Sequence, residues 1–150
     1  MPTRTVIAEI KQRNGSLRVT LEGPIFIAEF KGACTPKIAQ VFHQAVLDAI
    51  PQLPENGWCY LSSSEDYAAA LPEVEESYAQ TYRLCMENGC IVEAYCMPSV
   101  VGLAQVDKAR KACGVESPIQ SLSFKTISDA KYFLLSTLEH IQARRKEKTE

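Results

Sequence analysis

The 150-residue chain has no apolar run approaching the roughly 18 residues that a membrane-spanning helix needs. Its opening, Met1-Pro2-Thr3-Arg4-Thr5, lacks the apolar stretch of a secretory signal. Charge of one sign is equally scarce: 16 Lys+Arg stand against 18 Asp+Glu, a net charge of -2. That balance gives no long-range pull toward nucleic acid or an anionic membrane. The expectation is a cytoplasmic protein that engages neither.

Chemical signatures are missing as well. There is no Gly-rich phosphate loop, dinucleotide fingerprint or nucleophile elbow. Six cysteines occur, at positions 34, 59, 85, 90, 96 and 113, yet none forms a C-x-x-C pair. The intervals separating Cys85, Cys90 and Cys96 fit no zinc template, and His43 and His140 lie far from any cysteine pair. These absences predict no metal, no cofactor and thiols that act as small buried hydrophobes. A chain of this length buries roughly 68–70% of its unfolded surface, so it needs no covalent staple.

What is present is regular punctuation. Thr5-Val6-Ile7-Ala8-Glu9-Ile10-Lys11 and Ser16-Leu17-Arg18-Val19-Thr20-Leu21 flank Asn14-Gly15, which predicts a hairpin with a type I′ turn. Pro24-Ile25-Phe26-Ile27-Ala28-Glu29-Phe30 reads as a third, more buried strand. After Gly32 the apolar period changes. Thr35-Pro36 is an N-cap with proline at the first helical position, and Ile38, Val41, Phe42, Ala45, Val46 and Ala49 form a stripe.

Trp58-Cys59-Tyr60-Leu61 predicts the next strand, and Pro72 opens a helix that Gly89 stops. Cys90-Ile91-Val92-Glu93-Ala94-Tyr95 follows as a strand, then a helix capped by Ser99 and stopped by Gly114. Gln120-Ser121-Leu122-Ser123-Phe124 predicts a final strand before a helix that begins near residues 126–128. The basic run from Arg144 to Lys148 is expected to fray. The reading is one α/β domain over residues 1–150, with a core over about 5–142 and a charged tail over 143–150. Its sheet is mixed and mainly parallel, with an antiparallel N-terminal meander and four helices.

Several local signatures carry a resemblance. They are Gly15-Ser16-Leu17-Arg18-Val19, Glu22-Gly23-Pro24-Ile25-Phe26-Ile27, Phe30-Lys31-Gly32 and the start Gly57-Trp58-Cys59-Tyr60-Leu61. With Phe124-Lys125-Thr126-Ile127 running on to Phe133-Leu134, they span about residues 15–138. The chain resembles the STAS-like domains, of the SpoIIAA-like, anti-sigma-factor-antagonist type. The resemblance implies a non-enzymatic bacterial regulator that docks on another protein. Phosphorylation-switched members carry Asp-Ser-Ser-Gly at the start of the second helix. The corresponding region here is Ala70-Leu71-Pro72-Glu73, so this chain falls in a branch without that motif.

Two candidate sites follow. Ser62-Ser63-Ser64-Glu65-Asp66 lies after a strand's C-terminal end, where open α/β sheets place binding sites, and Glu73 extends the acidic rim. This surface is the predicted contact for an unidentified protein partner; whether the chain also forms a homodimer stays open. Cys34 sits before a helix N-terminus, with Lys31 and Lys37 nearby, where the macrodipole favours a thiolate. Tyr78 and Tyr82 read as core packing, and Lys108, Arg110 and Lys111 as the wet face of a helix. Two alternatives stay open: a thiol-dependent enzyme or redox protein using Cys34, and a carrier of a small hydrophobic ligand.

Overall fold

The computed structural model describes residues 3–149; Met1, Pro2 and Glu150, which belong to the opening and tail considered above, lie outside it. Strands β1 (Arg4–Lys11), β2 (Gly15–Glu22) and β3 (Ile25–Cys34) form the antiparallel meander. Leu17, Val19 and Leu21 are buried while Arg18 faces water, as the period-2 alternation requires.

The first turn differs from the type I′ expected. Type I′ needs positive φ at both central residues, and among the described residues no non-glycine has it. The loop is centred on Arg13-Asn14 and closed by the Gln12 amide donating to the Gly15 carbonyl at 2.8 Å. Gly15 is a strand residue opposite Gly32. A Cβ on it would come within 2.0 Å of the Ala33 carbonyl oxygen. Close approach of two strands, rather than turn geometry, is what glycine provides here.

Helix α1 (Pro36–Ala49) starts at Thr35, whose hydroxyl accepts from the Ile38 amide at 3.2 Å. Strand β4 (Trp58–Ser63) then runs parallel to β3. The next element was not expected: Tyr67–Ala70 forms a short strand, β5, parallel to the last residues of β3. Ala68, Ala69 and Ala70 have little β-propensity of their own. The ten-residue β3 outruns β4, which pairs only with Ile25 to Ala28, and its free end at Gly32 to Cys34 accepts β5.

A 3-10 turn (Pro72–Val74) leads into α2 (Glu75–Glu87), followed by β6 (Cys90–Cys96) and α3 (Val100–Ala112). Ser99 caps α3, accepting from the Gly102 amide at 2.9 Å. Gly114, at φ 85°, closes it: its amide donates to the Lys111 carbonyl and the Val115 amide to the Arg110 carbonyl, each at 3.0 Å.

The expected last strand is a 3-10 turn over Ile119–Leu122, and only a single parallel bridge joins Ser123 to Tyr95. Ser121 and Ser123 donate to the carbonyls of Pro118 and Ile119, local bonds that compete with a ladder. Helix α4 (Ile127–Thr149) continues through the tail expected to fray. Residues 143–149 are exposed but are mostly strong helix formers without Gly or Pro.

The six-stranded sheet has the order β1-β2-β3-β4-β6, with β5 on β3. It is mixed: β3–β4, β3–β5 and β4–β6 are parallel. Both faces are covered. Phe26, Ala28 and Phe30 point into a core shared with α1, while Ile25 and Ile27 meet Ala130, Leu134 and Leu138 of α4.

Candidate functional site

At the C-terminal end of β4, which takes in Ser62 and Ser63 of the expected loop, the serine run divides. Ser62 and Ser64 are 1% and 0% exposed, and their hydroxyls bond each other at 2.8 Å. The Phe30 amide donates to Ser64 Oγ at 3.2 Å, and the Ser64 amide donates to the Cys96 carbonyl at 3.0 Å. These two serines tie the C-terminal ends of three strands together. They are not the exposed acceptors the sequence suggested, because unpaired strand-end amides and carbonyls recruit them. Ser63 is half-buried. Glu65 and Asp66 form the exposed tip of a turn, closed by Tyr67 N–H to the Ser64 carbonyl and Gly32 N–H to the Asp66 carbonyl. Among the described residues neither carboxylate makes an ion pair.

Glu73 is exposed on the 3-10 turn and borders a surface groove with Gln40, His43 and Gln44 of α1. The length of β5, about 13 Å for four residues, separates it from the Glu65–Asp66 tip. The structure brings a different element to the strand that follows that tip. Ser99 donates its hydroxyl proton to the Ala68 carbonyl, which sets the start of α3 beside β5. Val100 and Val101 open that helix, 81% and 59% exposed. Consecutive valines directly after an N-cap, outside the helix's apolar stripe, were the signal in the sequence.

Cys34 does not have the environment of a nucleophile. It is fully buried, and burial pushes its thiol up to about 11, with only partial relief from a Tyr78 hydrogen bond. Desolvation of the charged form outweighs the helix N-terminus that was expected to favour a thiolate. Lys31 and Lys37 are exposed, and His43 is bonded through Nδ1 to the Thr81 hydroxyl at 2.8 Å. His140 is exposed on α4, across the sheet.

Arg110 reverses its reading as part of a wet helix face. It is 1% exposed and donates to Glu93, Asp107 and both the carbonyl and hydroxyl oxygens of Ser117. Tyr82 donates to the second Glu93 oxygen at 2.6 Å. Helical spacing alone could not reveal a carboxylate arriving from β6. Beside this network, between the sheet and α1–α3, lies a cavity of about 60 Å³ walled by Phe30, Phe42, Tyr60, Tyr78 and Tyr95. Among the described residues no group of three or more His, Cys, Asp or Glu is placed to hold a metal, and no helix is long and apolar enough to cross a membrane.

No protein-family model matches the chain. No curated protein matches it either. Two solved structures are similar. One is SLC26A9, which has a STAS domain: 13% identity, TM-score 0.57, covering 89% of this chain and 26% of that one. This chain thus spans about a quarter of that protein's length. The other is an anti-sigma factor antagonist from Mycobacterium paratuberculosis: 11% identity, TM-score 0.49, covering 88% of this chain and 94% of that one. The chain has a STAS-like fold.

Proposed function

We propose that this domain is a regulatory interaction module that docks a protein partner where β5 meets α3. The observation that carries the reading is the Ser99–Ala68 hydrogen bond, which sets the first turn of α3, with its exposed Val100 and Val101, against the strand that follows the unpaired Glu65 and Asp66. An apolar centre with a charged rim is the usual anatomy of a protein interface. The turn is fixed at its base by Ser64, so little ordering is required when a partner arrives. Glu73 forms a second acidic point, at the far end of β5. The burial of Ser62 and Ser64 supports exchange of partners without phosphorylation of those hydroxyls.

The test compares two variants with the wild type in pull-down and in sedimentation. Glu65→Lys with Asp66→Lys slows capture of a basic partner, and the wild-type rate falls as salt is added. Val100→Ser with Val101→Ser raises the off-rate. Both variants fold within about 0.5 kcal/mol of wild type, since these side chains are exposed. If the sedimentation reveals a dimer that the valine variant loses, the partner is a second copy. Equal capture of every partner by both variants overturns the surface.

A further inference from the structure

We propose that the cavity between the sheet and helices α1–α3 is a binding site for a small, uncharged, largely apolar molecule with one hydrogen-bonding group. Three features of its wall support a ligand over a packing defect. The first is Tyr95. Its side chain is 3% exposed and lines the cavity, yet among the described residues its hydroxyl makes no hydrogen bond. Among the described residues no fully enclosed side-chain polar atom is left unpartnered, so this hydroxyl faces open cavity space. A buried hydroxyl in that position is an anchor awaiting a polar atom.

The second feature is the absence of free charge. Glu93, the one carboxylate on the wall, has one oxygen held by Arg110 and the other by Tyr82. A charged ligand would be desolvated without a counter-charge, which is costly. The third feature is adaptability. Met86, Met97, Cys85 and Cys90 contribute sulfur beside the aromatic rings, and Met86 is the wall's most exposed apolar side chain at 43%. Thioethers repack readily around different shapes and contact ring edges favourably.

Size narrows the class. The cavity is small, about 60 Å³. That favours a small molecule over a long acyl chain. The occupant is therefore a short alcohol or a molecule of similar polarity, rather than a lipid. The site is independent of the docking surface and stands or falls on its own.

The test is an amide NMR titration of the full chain with n-butanol, with n-butylammonium as the charged isostere. The expected result is saturable shifts at residues around the cavity, with Kd in about the millimolar range for so small a ligand. n-Butylammonium binds at least about tenfold more weakly, because the wall's carboxylate, Glu93, is already held by Arg110 and Tyr82. Tyr95→Phe weakens n-butanol about fivefold, the loss of one hydrogen bond. Ala109→Val, which extends a side chain of α3 into the space, abolishes binding. No saturable shift up to about 50 mM overturns the site, as does binding that survives Ala109→Val. Should Ala109→Val fail to fold by circular dichroism, Tyr95→Phe decides alone, and unchanged affinity in it overturns the assignment.

Discussion

Replacing Arg110 with alanine should be among the most damaging single changes on the surface-facing helices. The guanidinium is 1% exposed and is shared among Glu93 at 2.5 Å, Asp107 at 3.3 Å and two oxygens of Ser117 at 2.8 and 2.9 Å. Truncation leaves the Glu93 carboxylate, whose side chain is 13% exposed, with only the Tyr82 hydroxyl as partner. Removing one member of a buried pair typically costs about 3–5 kcal/mol, mostly from the charge left behind. For a chain of this size each kcal/mol lowers Tm by about 2–4 °C, so a drop of about 6–20 °C is expected. Arg110→Lys should recover only part of it, because an ammonium cannot reach carboxylates and the Ser117 oxygens in one planar fork. Removing the carboxylate too, as Arg110→Met with Glu93→Leu, should restore most of the stability. The assay is a double-mutant cycle by urea unfolding with a matching thermal melt. A loss under about 1 kcal/mol for Arg110→Ala would show that water reaches Glu93 readily and refute the reasoning.

Two further outcomes follow from the same geometry. Glu22 is partly buried, which alone would raise its pKa, but hydrogen bonds and charges from Lys131 at 2.8 Å and Arg4 at 3.1 Å outweigh this and hold it below the ordinary value. A depressed carboxylate stabilises above its unfolded pKa and loses that contribution as pH falls through the folded one. Glu22→Gln should therefore weaken folding at about pH 7 and leave it near wild type at about pH 2; equal losses at both, by urea unfolding, would contradict this. Cys34, its thiol pushed up to about 11 by burial, should hold about one part in ten thousand of thiolate at pH 7. Peptide mapping after iodoacetamide should find it modified only in denaturant, and native labelling as fast as a free thiol would reinstate the nucleophile.

The sequence alone determined the elements whose cause is local. Thr35-Pro36, Ser99 and Gly114 act on their own backbones, and the change of period after Gly32 marks where strands give way to helices. The mixed sheet with four helices could be read from those signals, as could the deeper burial of β3; that both its faces are covered came from the packing of α1 and α4. Tertiary structure decided what depends on partners distant in the chain. Three alanines became β5 because the free end of β3 was there to pair, while a serine-rich run failed as a strand because its hydroxyls found nearer carbonyls. The same rule divides the site. Glu65 and Asp66 are exposed as their charge suggests, but Ser62 and Ser64 turn inward to satisfy backbone groups up to 36 residues away, and Arg110 is buried by a carboxylate from β6. Periodicity reports which side of its own element a residue occupies. Whether that side meets water, a counter-charge or an aromatic cavity depends on what packs against it.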